Sequence, residues 1–193
     1  MRAAVDNALN AGLAPNDIIT GIRKGFEQVS AKYDTGEFFL SELIMSGETA
    51  KVALEVLESQ CRRTFSDRTT TKVVIGTVEG DVHDIGKNIV STILLSSGLD
   101  VYDLGTDVKS EDFIRKIKET GATVLAMSAL LTTTMQNMGT VVADLKKNGL
   151  RESVKVVVGG QPLTDSFAQQ IGADSYVDDA PKILRVLGDF AVL

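Results

Sequence analysis

Apolar residues recur at two different periods along this chain. Between Pro15 and Cys61 the spacing is helical. Ile18, Ile22, Phe26, Val29 and Tyr33 step by four, four, three and four, which places them on one helix face. Pro15 suits the first turn, where no backbone donor is needed. Asp34-Thr35-Gly36 stops that helix, with Gly36 free to take the left-handed cap conformation. A second stripe runs through Leu40, Leu43, Ile44, Gly47, Ala50, Leu54 and Leu57. A short helix over Ala3 to Leu9, ended by Gly12, completes a small helical bundle.

Arg62 to Thr71 is polar and without period, and reads as a linker. Beyond it, short β-rich runs alternate with helical stretches. Val73 to Val78 is β-branched with no polar face, the pattern of a strand buried on both sides. Further strands fall at Leu99–Leu104, Thr123–Met127, Val154–Val158 and Ser175–Val177. Helices are expected around Ile89–Leu94, over Ser110–Thr120 with Ser110 as N-cap, from about Thr134 to Lys147, and from Pro181 to Phe190. The division is then a helical domain over 1–65, a linker at 66–71 and an α/β domain over 72–193. Five strands alternating with helices predict a doubly wound parallel sheet, whose ligands sit at the carboxyl ends of the strands. The loops at 79–87, 128–134 and 159–161 should converge there.

Charge and composition narrow the chemistry. Of 193 residues, 44% are apolar and 24% charged, ordinary for a globular protein. No run approaches the roughly 18 apolar residues of a membrane helix. The N-terminal run lacks a secretory apolar core, which points to the cytoplasm. A net charge of -6 argues against nucleic acid as a partner. One cysteine, Cys61, excludes internal disulfides and Cys-rich metal sites. One histidine, His83, must carry any imidazole chemistry.

His83 lies in Glu79-Gly80-Asp81-Val82-His83-Asp84-Ile85-Gly86-Lys87-Asn88, directly after the first strand. The loop has the place of a phosphate loop but matches neither G-x-G-x-x-G nor a Walker ending. It offers an imidazole with a carboxylate two residues earlier. Metal-bound histidines typically donate their other N–H to such a carboxylate. With no second imidazole, a metal already chelated by a macrocycle fits better than a bare ion. An exposed loop histidine beside acidic residues is the competing reading. Ser128, Thr132, Thr133 and Thr134 offer hydroxyls to a ligand or to Asp81, or else cap the next helix. Gly159-Gly160 lets backbone approach a ligand, or simply turns.

Asp81-x-His83-x-x-Gly86, then Ser128-x-Leu130 and Gly159-Gly160, resembles the pattern of cobalamin-binding domains. The string from Asp81 to Val90 is similar to the methyl-transferring branch, shared by cobalamin-dependent methionine synthase and the small corrinoid proteins of methyltransferase systems. Gly36 to Leu43 resembles the helical cap module that precedes that domain, with Ser41 where caps often carry Pro. The resemblance covers about residues 15 to 190, and would place one further helix ahead of Ala3. It implies a Rossmann- or flavodoxin-like cobalamin-binding domain behind a helical cap.

It also implies roles. The residue matching His83 ligates cobalt from below in place of the cofactor's own base, and that matching Asp81 bonds the imidazole. Thr134 stands where methionine synthase has the serine that completes the relay. The nucleotide tail passes positions matching Gly86, Ser128, Gly159 and Gly160, and Asp84, Ile85, Leu130 and Thr132 join the cofactor-binding set. Phe39, Leu40 and Leu43 are candidates for an apolar cover, or else bundle core.

The implied function is a methyl carrier, not an enzyme alone. It would work between a substrate-specific methyltransferase and an acceptor-side one using tetrahydrofolate or coenzyme M, with a reductive activase as a further partner. The alternatives are a cobalamin-dependent sensor or regulator, a mutase subunit, and a cofactor-free flavodoxin-like domain.

Overall fold

The computed structural model describes residues 1–60 and 71–190. Cys61 and nearly all of the expected linker lie outside the described residues. The chain divides into two compact units, the first holding the three N-terminal helices together with Thr92–Leu99, the second holding the sheet.

In the first unit, α1 (Arg2–Asn10), α2 (Pro15–Asp34) and α3 (Leu40–Gln60) pack around Val5, Ile18, Ile19, Ala53, Val56 and Leu57. Pro15 opens α2, and Gly36 (φ 75°) follows its end as the sequence predicts. At the start of α3, Glu42 reaches back to accept from the Phe39 N–H at 2.9 Å, one half of a capping box. Its carboxylate also accepts from the Ser41 hydroxyl at 3.0 Å.

From Lys72 onward the elements are β1 (Lys72–Thr77), α4 (Ile85–Ser96), β2 (Asp100–Asp103), α5 (Ser110–Thr120), β3 (Val124–Ser128), α6 (Gln136–Lys147), β4 (Lys155–Gly159), α7 (Asp165–Ile171), β5 (Ser175–Val177), a 3-10 turn at Ala180–Lys182 and α8 (Ile183–Asp189). The five strands are all parallel, in the order 2-1-3-4-5. That is the flavodoxin-like order, with its switch point between β1 and β3. Val74, Val78, Leu125, Met127, Val156 and Val158 pack one sheet face against Phe113, Ile117, Met138, Val141, Leu145 and Phe167. Among the described residues no helix is long and apolar enough to cross a membrane.

Three expectations are corrected. Helix α4 begins at Ile85, four residues before the expected stripe. Ser110 is the first residue of α5 rather than its N-cap: Lys109 holds the cap position, and the Ser110 hydroxyl donates to Asp144 at 2.6 Å. Helix α7 is unexpected; Thr164 caps it by accepting from the Phe167 N–H, and Gly172 ends it in the left-handed region.

Candidate functional site

At the switch point, the loop from β1 to α4 leaves the sheet beside the end of β3. Asp81 is fully buried there, and five hydrogen bonds converge on its carboxylate. Oδ1 accepts from the His83 ring at Nδ1 (2.7 Å) and from the His83 N–H (3.1 Å). Oδ2 accepts from the Leu130 N–H (2.8 Å), the Leu131 N–H (3.2 Å) and the Thr134 hydroxyl (2.7 Å). Burial acts to raise the carboxyl pKa. The bonds from Leu130, Thr134 and His83 outweigh it and hold Asp81 well below the usual carboxylate range. An ionised carboxylate only accepts, so Nδ1 carries a proton in this bond and Nε2 is the ring nitrogen that can offer a lone pair to a ligand. The imidazole is 47% exposed, so that lone pair belongs to an accessible group.

The loop backbone is held as firmly as its side chains. The buried Thr77 hydroxyl donates to the His83 carbonyl at 3.0 Å, and Asn137 Nδ2 to the Glu79 carbonyl at 2.8 Å. After β2 the chain continues alongside β1 as far as Val108. On that return Asp107 takes a left-handed conformation at φ 54°. Its Oδ1 accepts from the Gly80 N–H at 2.7 Å, and its own N–H donates to the Asp81 carbonyl at 2.9 Å.

Beside the loop lies a cavity of about 240 Å³. Its sheet wall has two rungs fixed by register. The deeper rung is Ile75, Ala126 and Val157, wholly apolar; the outer one includes Ser128, Gly159 and Val177. Gly86, Lys87 and Val90 of α4, Gly160 and Gln161 after β4, and Ile183 of α8 are also part of the lining. Lys87 is buried, its ammonium 2.5 Å from Asp103 and 2.6 Å from Asn88 Oδ1. At Gly160 (φ 136°) a Cβ would stand 1.8 Å from the Ala129 carbonyl oxygen, so the loops after β3 and β4 meet backbone to backbone. A Cβ on Gly86 would meet nothing within 4 Å.

The sequence-predicted residues sort accordingly. Asp81, His83 and Thr134 form one bonded group. Gly86, Ser128, Gly159 and Gly160 line the cavity. Leu130 holds Asp81 through its backbone, and its side chain is exposed, as are those of Leu131, Val82 and Ile85. These four exposed apolar side chains sit on the loop that carries the imidazole, on the first residue of α4 and on the loop after β3. The Asp84 carboxylate is occupied by Asn88 Nδ2 at 3.1 Å. Thr132 is exposed and joins neither group. In the helical unit Phe39 is 72% exposed and Leu43 is buried. Asp107, Asn137 and the Lys87–Asp103 pair escaped sequence reasoning. The strand order could have found Asp107, since it sets the loop after β2 beside the loop after β1.

These residues fit a cobalamin. Among the described residues no three His, Cys, Asp or Glu gather to hold a metal ion. A metal at His83 must therefore bring its other ligands with it. The apolar cavity and the exposed Val82, Ile85, Leu130 and Leu131 suit a large, largely apolar ring system with a bulky tail.

Comparison with known proteins gives the same direction. Residues 71–185 match a family model described as a B12 binding domain, and residues 1–58 match a second model of the same description. The chain is 42% identical over 179 residues to dimethylamine corrinoid protein 2 of Methanosarcina acetivorans, covering 92% of this chain and 82% of that one. It is similar to the crystal structure of a cobalamin-binding protein from Desulfitobacterium hafniense, with TM-score 0.78, 33% identity, and coverage of 97% and 89%. It is also similar to one chain of the methanol:cobalamin methyltransferase complex of Methanosarcina barkeri, with TM-score 0.79, 32% identity, and coverage of 94% and 70%.

Proposed function

Given that the chain belongs to the B12-binding corrinoid proteins of methyltransferase systems, we propose that it carries a methyl group between two methyltransferases, with His83 as the residue that would hold the cobalt of the bound corrinoid. The observation that carries this reading is the buried Asp81 carboxylate, which fixes the Nδ1–H tautomer of His83 and leaves Nε2 as a ligand. When bound, the cobalamin supplies the cobalt on which the methyl group travels, and the chain supplies coordination and access.

Each residue then has a task. His83 Nε2 holds the metal. Asp81 keeps the ring oriented and stabilises it if it takes up a proton. Thr134, with the Leu130 and Leu131 N–H groups, holds Asp81 ionised while buried. The cavity takes the nucleotide tail, past Gly86, Ser128, Gly159 and Gly160. Val82, Ile85, Leu130 and Leu131 keep water from the metal ligand. In the helical unit, Phe39 is exposed and so available to a ligand, whereas packing accounts for Leu43.

The partners follow from the same reading: a substrate-specific methyltransferase, an acceptor-side methyltransferase and a reductive activase. The dimethylamine relative supports a methylamine enzyme on the donor side. The methanol complex supports direct docking of a carrier onto its methyltransferase.

The test is electron paramagnetic resonance of the protein reconstituted with hydroxocobalamin and reduced to cobalt(II). Nitrogen splitting is expected in the wild type and should vanish in His83→Ala. Splitting that survives the substitution would overturn the assignment.

A further inference from the structure

Asp107 has the geometry of a residue retained for what it holds. It is the one non-glycine residue at positive φ among the described residues. Left-handed backbone costs an L-residue, and Gly adopts it freely, as Gly105 does two positions earlier at φ 81°. Glycine would therefore satisfy the backbone better. What glycine would lack is the carboxylate that accepts from the Gly80 N–H at 2.7 Å. The Asp107 N–H meanwhile donates to the Asp81 carbonyl at 2.9 Å. The two bonds grip the Gly80–Asp81 segment from one residue. Asp81 in turn is the group that fixes His83.

We propose that Asp107 is a positioning residue that aims the His83 imidazole by clasping the backbone of Gly80 and Asp81. The inference rests on the assignment of His83 as the cobalt ligand. Asp107 is not among the residues that line the cavity, and its bonds go to the backbone of Gly80 and Asp81. It acts by limiting the backbone freedom of the loop, so that the Asp81 carboxylate meets its donors with His83 already in place.

Three variants separate the clasp from the backbone conformation. Asp107→Gly keeps the left-handed conformation and loses the acceptor. Asp107→Asn keeps both, since Asn also tolerates that conformation and retains an oxygen acceptor. His83→Ala is the control for the ligand itself. Each is reconstituted with hydroxocobalamin and reduced to cobalt(II), and the nitrogen-split resonance signal is compared with the unsplit one. Thermal melts of the same samples report folding.

In Asp107→Gly the protein should melt as the wild type does and retain its corrinoid. Its ratio of nitrogen-ligated to unligated cobalt should fall by roughly fivefold, the scale of one side-chain hydrogen bond. Asp107→Asn should restore the ratio. An unchanged ratio in Asp107→Gly overturns the proposal. So does loss of all corrinoid from a Gly variant that still folds, which would make Asp107 a holder of the cofactor. A Gly variant that does not fold overturns it too, because Asp107 would then serve the fold. Failure of the Asn variant to restore the ratio shows that the charge, and not the clasp, is what counts, and likewise defeats it. Splitting that persists in His83→Ala instead fails the ligand assignment on which the inference stands.

Discussion

The methyl group of Thr134 packs over Gly80: a Cβ built on that glycine would stand 3.4 Å from Thr134 Cγ2, while the Thr134 hydroxyl donates to Asp81 at 2.7 Å. The β-branch thereby sets the hydroxyl. With the methyl held against Gly80, the oxygen is left facing the carboxylate. Threonine is in this respect a stiffer choice than serine, and the backbone of Gly80 provides the room.

Replacing Thr134 by valine keeps the shape and deletes the donor. Thr134→Val should destabilise the cofactor-free protein by about 1–3 kcal/mol, because a buried charged acceptor loses a bond. Thr134→Ser should cost less than about 1.5 kcal/mol, since only a methyl is lost. Urea unfolding midpoints would separate the two, and equal losses would mean the hydroxyl contributes nothing.

The depressed Asp81 carboxyl predicts acid sensitivity. The folded group binds its proton at lower pH than the unfolded one, whose pKa is about 3.9. Its contribution is therefore complete above about pH 5 and is lost as the pH falls toward the folded value, by up to about 1.4 kcal/mol per pH unit. Unfolding curves of the cofactor-free protein between pH 6 and 3 should show a shallower decline for Asp81→Asn than for the wild type. Parallel declines would show that the carboxylate does not keep its bonds.

Asp81→Asn bears on the cofactor as well. The neutral amide can keep a bond to the ring but stabilises a charged imidazole less. Cobalamin should remain bound, with a changed cobalt(II)/cobalt(I) potential measured by spectroelectrochemistry. An unchanged potential counts against a relay from His83 to Asp81.

Two of the three glycines that line the cavity should respond oppositely in stability. Gly86 lies in α4 with open space where a Cβ would go. Gly86→Ala should therefore leave the cofactor-free protein as stable or more so, by up to about 1 kcal/mol, while weakening cobalamin retention on desalting. Gly160→Ala would force a methyl into the Ala129 carbonyl and should damage stability and binding together. If Gly86→Ala binds cobalamin as the wild type does, the space beside it is not the tail's.

Ala126 is the small residue of the deeper rung. Ala126→Leu should fill the cavity from the sheet side, leaving a folded protein that releases its corrinoid on desalting. Retention at wild-type level would place the tail elsewhere.

Much of this was legible in the sequence, for reasons visible in particular residues. Val73 to Val78 reads as a doubly buried strand because both faces of β1 are covered. Asp81 and His83 read as a pair because a carboxylate two residues ahead can turn onto the His83 N–H and reach the ring as well. The start of α4 was hidden because Gly86, Lys87 and Asn88 interrupt its apolar pattern, and Lys87 turns its charge inward to Asp103. Helix α7 is only seven residues long and buries only Phe167 and Ala168, too few for a period to show. Asp107 carries no motif. Its role follows from a backbone angle and a strand order, neither of which spacing reveals.

The partners of Asp81 Oδ2 lie 49 to 53 residues further along the chain, and that separation has a consequence for biosynthesis. While the ribosome has delivered only β1 and α4, the aspartate that aims the histidine lacks the donors that hold its other oxygen. Once β3 has emerged, the cavity still lacks Gly159, Gly160, Val177 and Ile183. Long-range parallel pairing forms slowly because loops must close before contacts reward them. The helical unit, built from residues close in sequence, can fold while the sheet is still being made. Cobalamin insertion is thus an event of the finished chain, and a nascent chain stalled before β4 should take up none.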